Sequence, residues 1–217
     1  MALPNRHLKL LFRGACTALM LSGAAFAQEG DTLYAACIAC HGADGAGNTD
    51  LGAPSIAGQL ESYLVRQLQH FRSGLRGADN PDQYALQMAP FANQLVDEAA
   101  VAAVSAYVAA LPPKPVQERA SGDVRSGASL YNGNCGACHG GSGEGNEALN
   151  APRLAGLDGA YLKRQYAAYA SGQRGATAED RYGRQMAMMA NTLADDAALN
   201  DVIAYIHTLD NDGGATR

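Results

Sequence analysis

Two short stretches, Cys37–His41 and Cys135–His139, each place two cysteines three positions apart with a histidine directly after the second. Several chemistries use part of that pattern. Paired cysteines form disulfides in an oxidising compartment. A thioredoxin-like pair wants a strand before it and a βαβ context, and no stretch here shows strand alternation. A zinc site wants a second pair of ligands near the first, whereas each half offers one pair. The histidine tips the balance, because Cys-x-x-Cys-His is the attachment sequence of a c-type haem. Cys37, Cys40, Cys135 and Cys138 are thus expected to add to vinyl groups on the porphyrin edge. His41 and His139 are expected to lie under the iron as axial ligands.

The opposite axial position separates electron transfer from catalysis. Met88 lies forty-seven residues after His41, in a segment whose Pro90 makes it too irregular for a core helix, and Met186 lies forty-seven after His139. Both are expected to ligate iron through sulfur. In the second half Met188 and Met189 compete, and the register favours Met186. His70 and His207 have Ala168 and Ala109 at the matching places, so they read as ordinary polar-face residues. With histidine and methionine both bound, an iron has no open place for substrate, and no nucleophile–base array stands elsewhere in the chain. The expectation is an electron carrier with two haem c groups, not an enzyme. The soft thioether and a largely apolar setting favour the ferrous form.

These residues recur because the chain is duplicated. A shift of ninety-eight positions brings Cys37, Cys40 and His41 onto Cys135, Cys138 and His139, Tyr63 onto Tyr161, Arg66 onto Arg164, Gln67 onto Gln165, Arg76 onto Arg174 and Met88 onto Met186. Before the motif the register slips by one, since "GDTLYAAC" is one residue shorter than "GASLYNGNC" between its Leu-Tyr and its cysteine. Each copy reads as helical. "ESYLVRQLQHFRSG" and "DGAYLKRQYAAYASG" carry apolar residues at three- and four-residue spacing and end in Gly74 and Gly172. A last helix begins near Asp97 in one copy and Asp195 in the other, and the glycine-rich pieces after each histidine are loops.

The boundaries expected from this pattern are a signal peptide over 1–27, a first domain over 28–111, a stiff exposed linker over 112–124 and a second domain over 125–217. Arg6, Lys9 and Arg13 precede an apolar run ending in Ala25-Phe26-Ala27, with cleavage expected before Gln28. That run is too short to span a bilayer, so export to a periplasm is expected without a membrane span. The mature chain would carry thirteen basic against twenty-one acidic residues, a formal charge of -8. With no basic tract, nucleic acid is excluded as a partner.

"LYAACIACHG", "LYNGNCGACHG", the "AP…AG" loops and "QMAPFANQLVDEAAVAAVSAYVAAL" together resemble the di-haem cytochromes of the cytochrome c4 family. The resemblance implies an all-α fold of two class I cytochrome c domains in tandem, each wrapped around one covalently attached haem. It implies that Pro54 and Pro152 offer their carbonyls to the ligand histidines, and that the domains pack about a pseudo-two-fold axis with haem propionates facing one another. Partners implied are redox proteins: an oxidase, a cytochrome complex or a periplasmic dehydrogenase. The alternative is a subunit held in a dehydrogenase complex, as in sulfide or thiosulfate oxidation. The chain departs from the family's pattern in the shortened approach to Cys37, expected to touch only the helix start, and in Met188 where a proline would follow Met186.

Overall fold

The computed structural model describes residues 29–77 and 82–209; the expected leader and its cleavage point lie outside them. Ten α-helices run through the described residues, and the two halves repeat one order. A helix leading to the motif (α1, 29–34; α6, Val124–Asn134) is followed by a single turn ending in histidine (α2, Ile38–His41; α7, Gly136–His139). Then come a long helix (α3, Glu61–Ser73; α8, Gly159–Ala170), a methionine-bearing helix (α4, Gln83–Ala92; α9, Arg181–Met189) and a closing helix (α5, Glu98–Ala110; α10, Asp196–Leu209). No extended strand forms among the described residues, only the isolated bridges Asn48–Ala53 and Asn146–Ala151 that pinch the loop after each histidine.

Local chemistry sets the helix ends. Asp97 accepts from the Ala100 amide at 2.8 Å, and Asp195 accepts from the Ala198 amide at 2.9 Å, so both closing helices start on an aspartate cap. Gly74 ends α3 with φ 78°, a backbone conformation that costs glycine little. Each first helix then crosses its closing helix at backbone distance. A Cβ on Gly127 would stand 1.9 Å from the Asp201 carbonyl oxygen, and one on Gly30 would stand 2.4 Å from that of Ala103. Around these crossings lie the two apolar cores, Tyr34 with Val101, Val104 and Val108, and Tyr131 with Val202, Ile206 and Leu209.

The structure departs from the sequence reading in four places. The segment around Met88 is a regular helix despite Pro90. Asp82 caps it by accepting from the Tyr84 amide at 3.0 Å, and Pro90, which has no amide to offer the Leu86 carbonyl, stands only two residues before the helix ends at Ala92. The one-residue slip is absorbed at the helix end, not the start. The Cys37 amide donates three residues back to Tyr34, where the Cys135 amide donates four back to Tyr131, both at 2.8 Å. The shortened approach is thus a tightened turn, and both tyrosines keep the same anchor: Tyr34 and Tyr131 donate to the carbonyls of Gly42 and Gly140 at 2.7 Å.

The other two departures concern histidines and the linker. His207 is fully buried: its Nδ1 accepts from the Ala120 amide at 2.9 Å, which leaves Nε2 to donate to the Leu157 carbonyl at 3.1 Å. His70 faces Asp180 of the other half at 3.9 Å. Neither is an ordinary surface residue. The segment over 112–124 is mostly exposed, yet it is strapped down along its length. Lys114 pairs with Asp44 at 3.0 Å, Arg119 donates to the His207 carbonyl at 2.6 Å, and the Asp123 amide donates to Asp201 at 2.8 Å.

Candidate functional site

Both Cys-x-x-Cys-His stretches open onto one continuous cavity of about 770 Å³ that runs through the two halves. Its walls hold Cys37, Cys40 and His41 from one half and Cys135, Cys138 and His139 from the other. The four cysteines are free thiols. Burial, and then the neighbouring cysteine, pushes the Cys37 thiol up and raises that of Cys135 to about 11. The Cys37 and Cys135 thiols are therefore held in the neutral form. Among the described residues, no group of three or more His, Cys, Asp or Glu side chains is arranged to hold a metal ion by itself.

The two histidines are fixed alike. His41 Nδ1 lies 2.9 Å from the Pro54 carbonyl oxygen, and His139 Nδ1 lies 2.9 Å from that of Pro152. A carbonyl only accepts, so Nδ1 carries the proton and Nε2 keeps its lone pair free. Burial pushes both imidazoles below the usual value and so favours the neutral ring, against a smaller opposing effect of the proline carbonyl. A neutral imidazole with a fixed far nitrogen is what a metal ligand needs. The short loop between histidine and proline is closed in both halves by the same bonds. The Gly47 amide donates to the His41 carbonyl at 2.9 Å and the Gly145 amide to the His139 carbonyl at 2.8 Å.

Of the methionines, Met88 and Met186 line the cavity and are half-buried on α4 and α9. Met188 is 71% exposed and lies outside the cavity wall, whereas Met189 reaches the wall but is 38% exposed. The helix turns Met186 inward and Met188 outward, since positions two apart point to different faces.

Four arginines that the sequence shows only as dispersed charges also line the cavity: Arg66, Arg76, Arg164 and Arg174. They bridge the halves in exchanged pairs. Arg66 donates to the Asn150 carbonyl at 2.8 Å and Arg164 to the Gly52 carbonyl at 2.8 Å. Arg76 donates to Gln165 at 3.0 Å and Arg174 to Gln67 at 2.8 Å. Arg66 lies over the Tyr182 ring at 4.8 Å and Arg164 over Tyr84 at 4.1 Å. Each partner differs from its counterpart by ninety-eight positions, so the interface is self-complementary about a pseudo-two-fold axis. The available signal was an arginine, a tyrosine and a glutamine repeated on the inner face of a helix in both copies. Gln59 breaks the symmetry, holding the Arg153 backbone at 2.8 Å and 3.0 Å where the second half has Leu157.

Comparison with known proteins agrees with this arrangement. The family model described as "Cytochrome c" matches residues 27–112 and again 124–210. The chain is 30% identical to a cytochrome c4 of Azotobacter vinelandii, over 83% of this chain and 89% of that one. It is 33% identical to a "thiosulfate dehydrogenase electron acceptor" of Stutzerimonas stutzeri, over 82% of this chain and 86% of that one. The crystal structure of reduced recombinant cytochrome c4 from Pseudomonas stutzeri superposes with a TM-score of 0.68 at 26% identity, covering 83% of this chain and 97% of that one.

Proposed function

The chain belongs to the cytochrome c family, as two such domains in tandem of the cytochrome c4 kind, and on that premise we propose that it carries single electrons in the periplasm between a dehydrogenase and an oxidase-side acceptor. It is a di-haem electron-transfer protein and not an enzyme, with two covalently bound haem c groups. Each haem c, when bound, supplies a one-electron ferric/ferrous couple.

The chain's own residues divide the work. Cys37 and Cys40, and likewise Cys135 and Cys138, supply the S–H groups that add across porphyrin vinyl groups. His41 and His139 offer Nε2 to the iron while Pro54 and Pro152 hold Nδ1 and set each ring's orientation. Met88 and Met186, on the wall of the same cavity, would supply a sulfur ligand to each iron. The apolar walls around Val104, Val108, Val202 and Ile206 exclude water and favour the less charged ferrous state. The buried arginine Nε groups of Arg76 and Arg164, without a hydrogen-bond partner among the described residues, fit a cavity meant to hold an acidic group.

The observation that carries the assignment is the doubled geometry: two buried imidazoles, each held at Nδ1 by a proline carbonyl and each directly after a pair of cysteines, on the wall of one cavity. No described helix is long and apolar enough to cross a membrane, in keeping with a carrier that diffuses to its partners. The relative that serves thiosulfate dehydrogenase supports a dehydrogenase as donor. Intact mass of the exported protein should equal the chain from Gln28 plus two haem groups. One haem, or a disulfide-bonded apoprotein, would contradict the assignment. Purification from a periplasmic extract should yield the chain alone; a tightly held catalytic subunit would favour residence in a dehydrogenase complex instead.

A further inference from the structure

His207 breaks the duplication. Its neighbours Tyr205 and Ile206 match Tyr107 and Val108 of the first half, but the residue that matches His207 is Ala109. The side chain is 1% exposed. A buried polar ring must find partners for both nitrogens, and here they come from two separate segments. Nδ1 accepts from the Ala120 amide of the linker at 2.9 Å, and Nε2 donates to the Leu157 carbonyl, in the turn before α8, at 3.1 Å. The main chain of the same residue takes a further bond, from Arg119 at 2.6 Å. One residue of the closing helix thus holds the linker by side chain and backbone together.

These bonds admit one charge state. An amide only donates and a carbonyl only accepts, so the ring bears its proton on Nε2 and its lone pair on Nδ1. Protonation takes that lone pair, and two N–H groups would then face each other across the Ala120 contact. The charged groups around the ring come from several elements. Arg119 of the linker disfavours a second positive charge beside it. Asp158 lies between Leu157 and Gly159, where an added Cβ would stand 3.4 Å from the His207 ring, but its carboxylate caps α8 by accepting from the Tyr161 amide at 2.7 Å. Asp201, on α10 itself, accepts from the Asp123 amide at 2.8 Å. Glu118 of the linker, Arg125 of α6 and Lys163 of α8 are exposed. None of these replaces the acceptor that Nδ1 supplies to the linker.

We propose that His207 is a pH-sensitive latch: its neutral ring fastens the linker to the second half, and proton uptake releases it. The linker's other attachment is separate, since Lys114 pairs with Asp44 of the first half at 3.0 Å. The latch therefore sets how much slack the tether between the halves has. Because the fastened state keeps the ring neutral, it binds fewer protons than the released state, and release is favoured as pH falls. An imidazole in water takes up its proton near pH ~6.5, so the response belongs to mildly acidic conditions.

Amide hydrogen exchange in the reduced holoprotein, followed by NMR, reads the latch at the Ala120 amide. Corrected for the intrinsic pH dependence of exchange, its protection should fall on the order of tenfold from about pH 7.5 to about pH 5.5. The Ala151 amide, which donates to the Asn146 carbonyl at 3.0 Å, is the control and should keep its protection. His207→Asn can still accept the Ala120 hydrogen through its side-chain oxygen but takes up no proton, so its Ala120 protection should not change with pH. Nitrogen-15 shifts of the imidazole test the same point without a variant, because the ring must take up its proton over the range in which Ala120 loses protection. Ala120 protection that stays constant over this range, or that falls equally in His207→Asn, would overturn the latch. So would an equal fall at Ala151, since the whole second half would then be loosening.

Discussion

Met88 and Met186 show how far residue types and spacing carry a site. The cysteines and histidines are visible in sequence because covalent attachment demands them side by side, and no folding is needed to bring them together. A methionine ligand arrives from forty-seven residues away, so only the duplication singles it out. Helix α9 adds what register cannot, turning Met188 to solvent at 71% exposure and Met186 into the cavity. Met186→Ala should therefore remove about half of the weak far-red sulfur-to-ferric-haem absorption, as should Met88→Ala, while Met188→Ala and Met189→Ala leave it nearly intact. Loss of the second half in Met188→Ala would overturn the ligand assignment. The arginines were not visible in this way. Arg174 and Gln67 are 107 positions apart, and nothing in either local stretch announces the other.

At the scale of the element, periodicity and caps predicted the helices well, because they depend on neighbours in sequence. What escaped was which helices touch at backbone distance, and that rests on single glycines. Gly127 sits inside α6, where alanine would ordinarily stabilise a helix by about 1 kcal/mol. Here the added Cβ would meet the Asp201 carbonyl oxygen at 1.9 Å and the Tyr205 Cβ at 3.0 Å, and backbone cannot swing aside as a flexible side chain does. Separating α6 from α10 would loosen Tyr131 from Val202 and Ile206 in the same core. Gly127→Ala should thus destabilise the second half by about 2 kcal/mol or more, the range of an overpacked core, despite its better helix propensity. Gly133 lies in the same helix with nothing within 4 Å of an added Cβ, so Gly133→Ala should be neutral or slightly stabilising. Urea unfolding of both variants in the holoprotein checks the contrast. Equal midpoints would mean the crossing tolerates a methyl group.

The whole molecule differs from its charge count, because the fold does not expose its charges evenly. The chain after residue 27 carries thirteen basic and twenty-one acidic residues. Arg66, Arg76, Arg164 and Arg174 are turned to the interface between the halves, which takes four of the thirteen basic groups away from the outer surface. The outer surface is therefore more acidic than the formal count suggests. At the rim of the cavity, Leu51, Phe91, Leu149 and Met189 are exposed apolar side chains. These two features act over different ranges. Apolar contact seats a partner within a few ångströms, whereas an acidic surface attracts a basic docking patch across a Debye length, about 8 Å at physiological salt. A transient redox interface is small, so its affinity stays modest and the rate of encounter matters most. The second-order rate of electron exchange with the native partner should consequently fall as ionic strength rises, without reaching zero, because the apolar rim persists at high salt. A flat profile would assign docking to the rim alone. A rising one would mean that the partner is acidic as well, and that salt relieves a repulsion between the two surfaces.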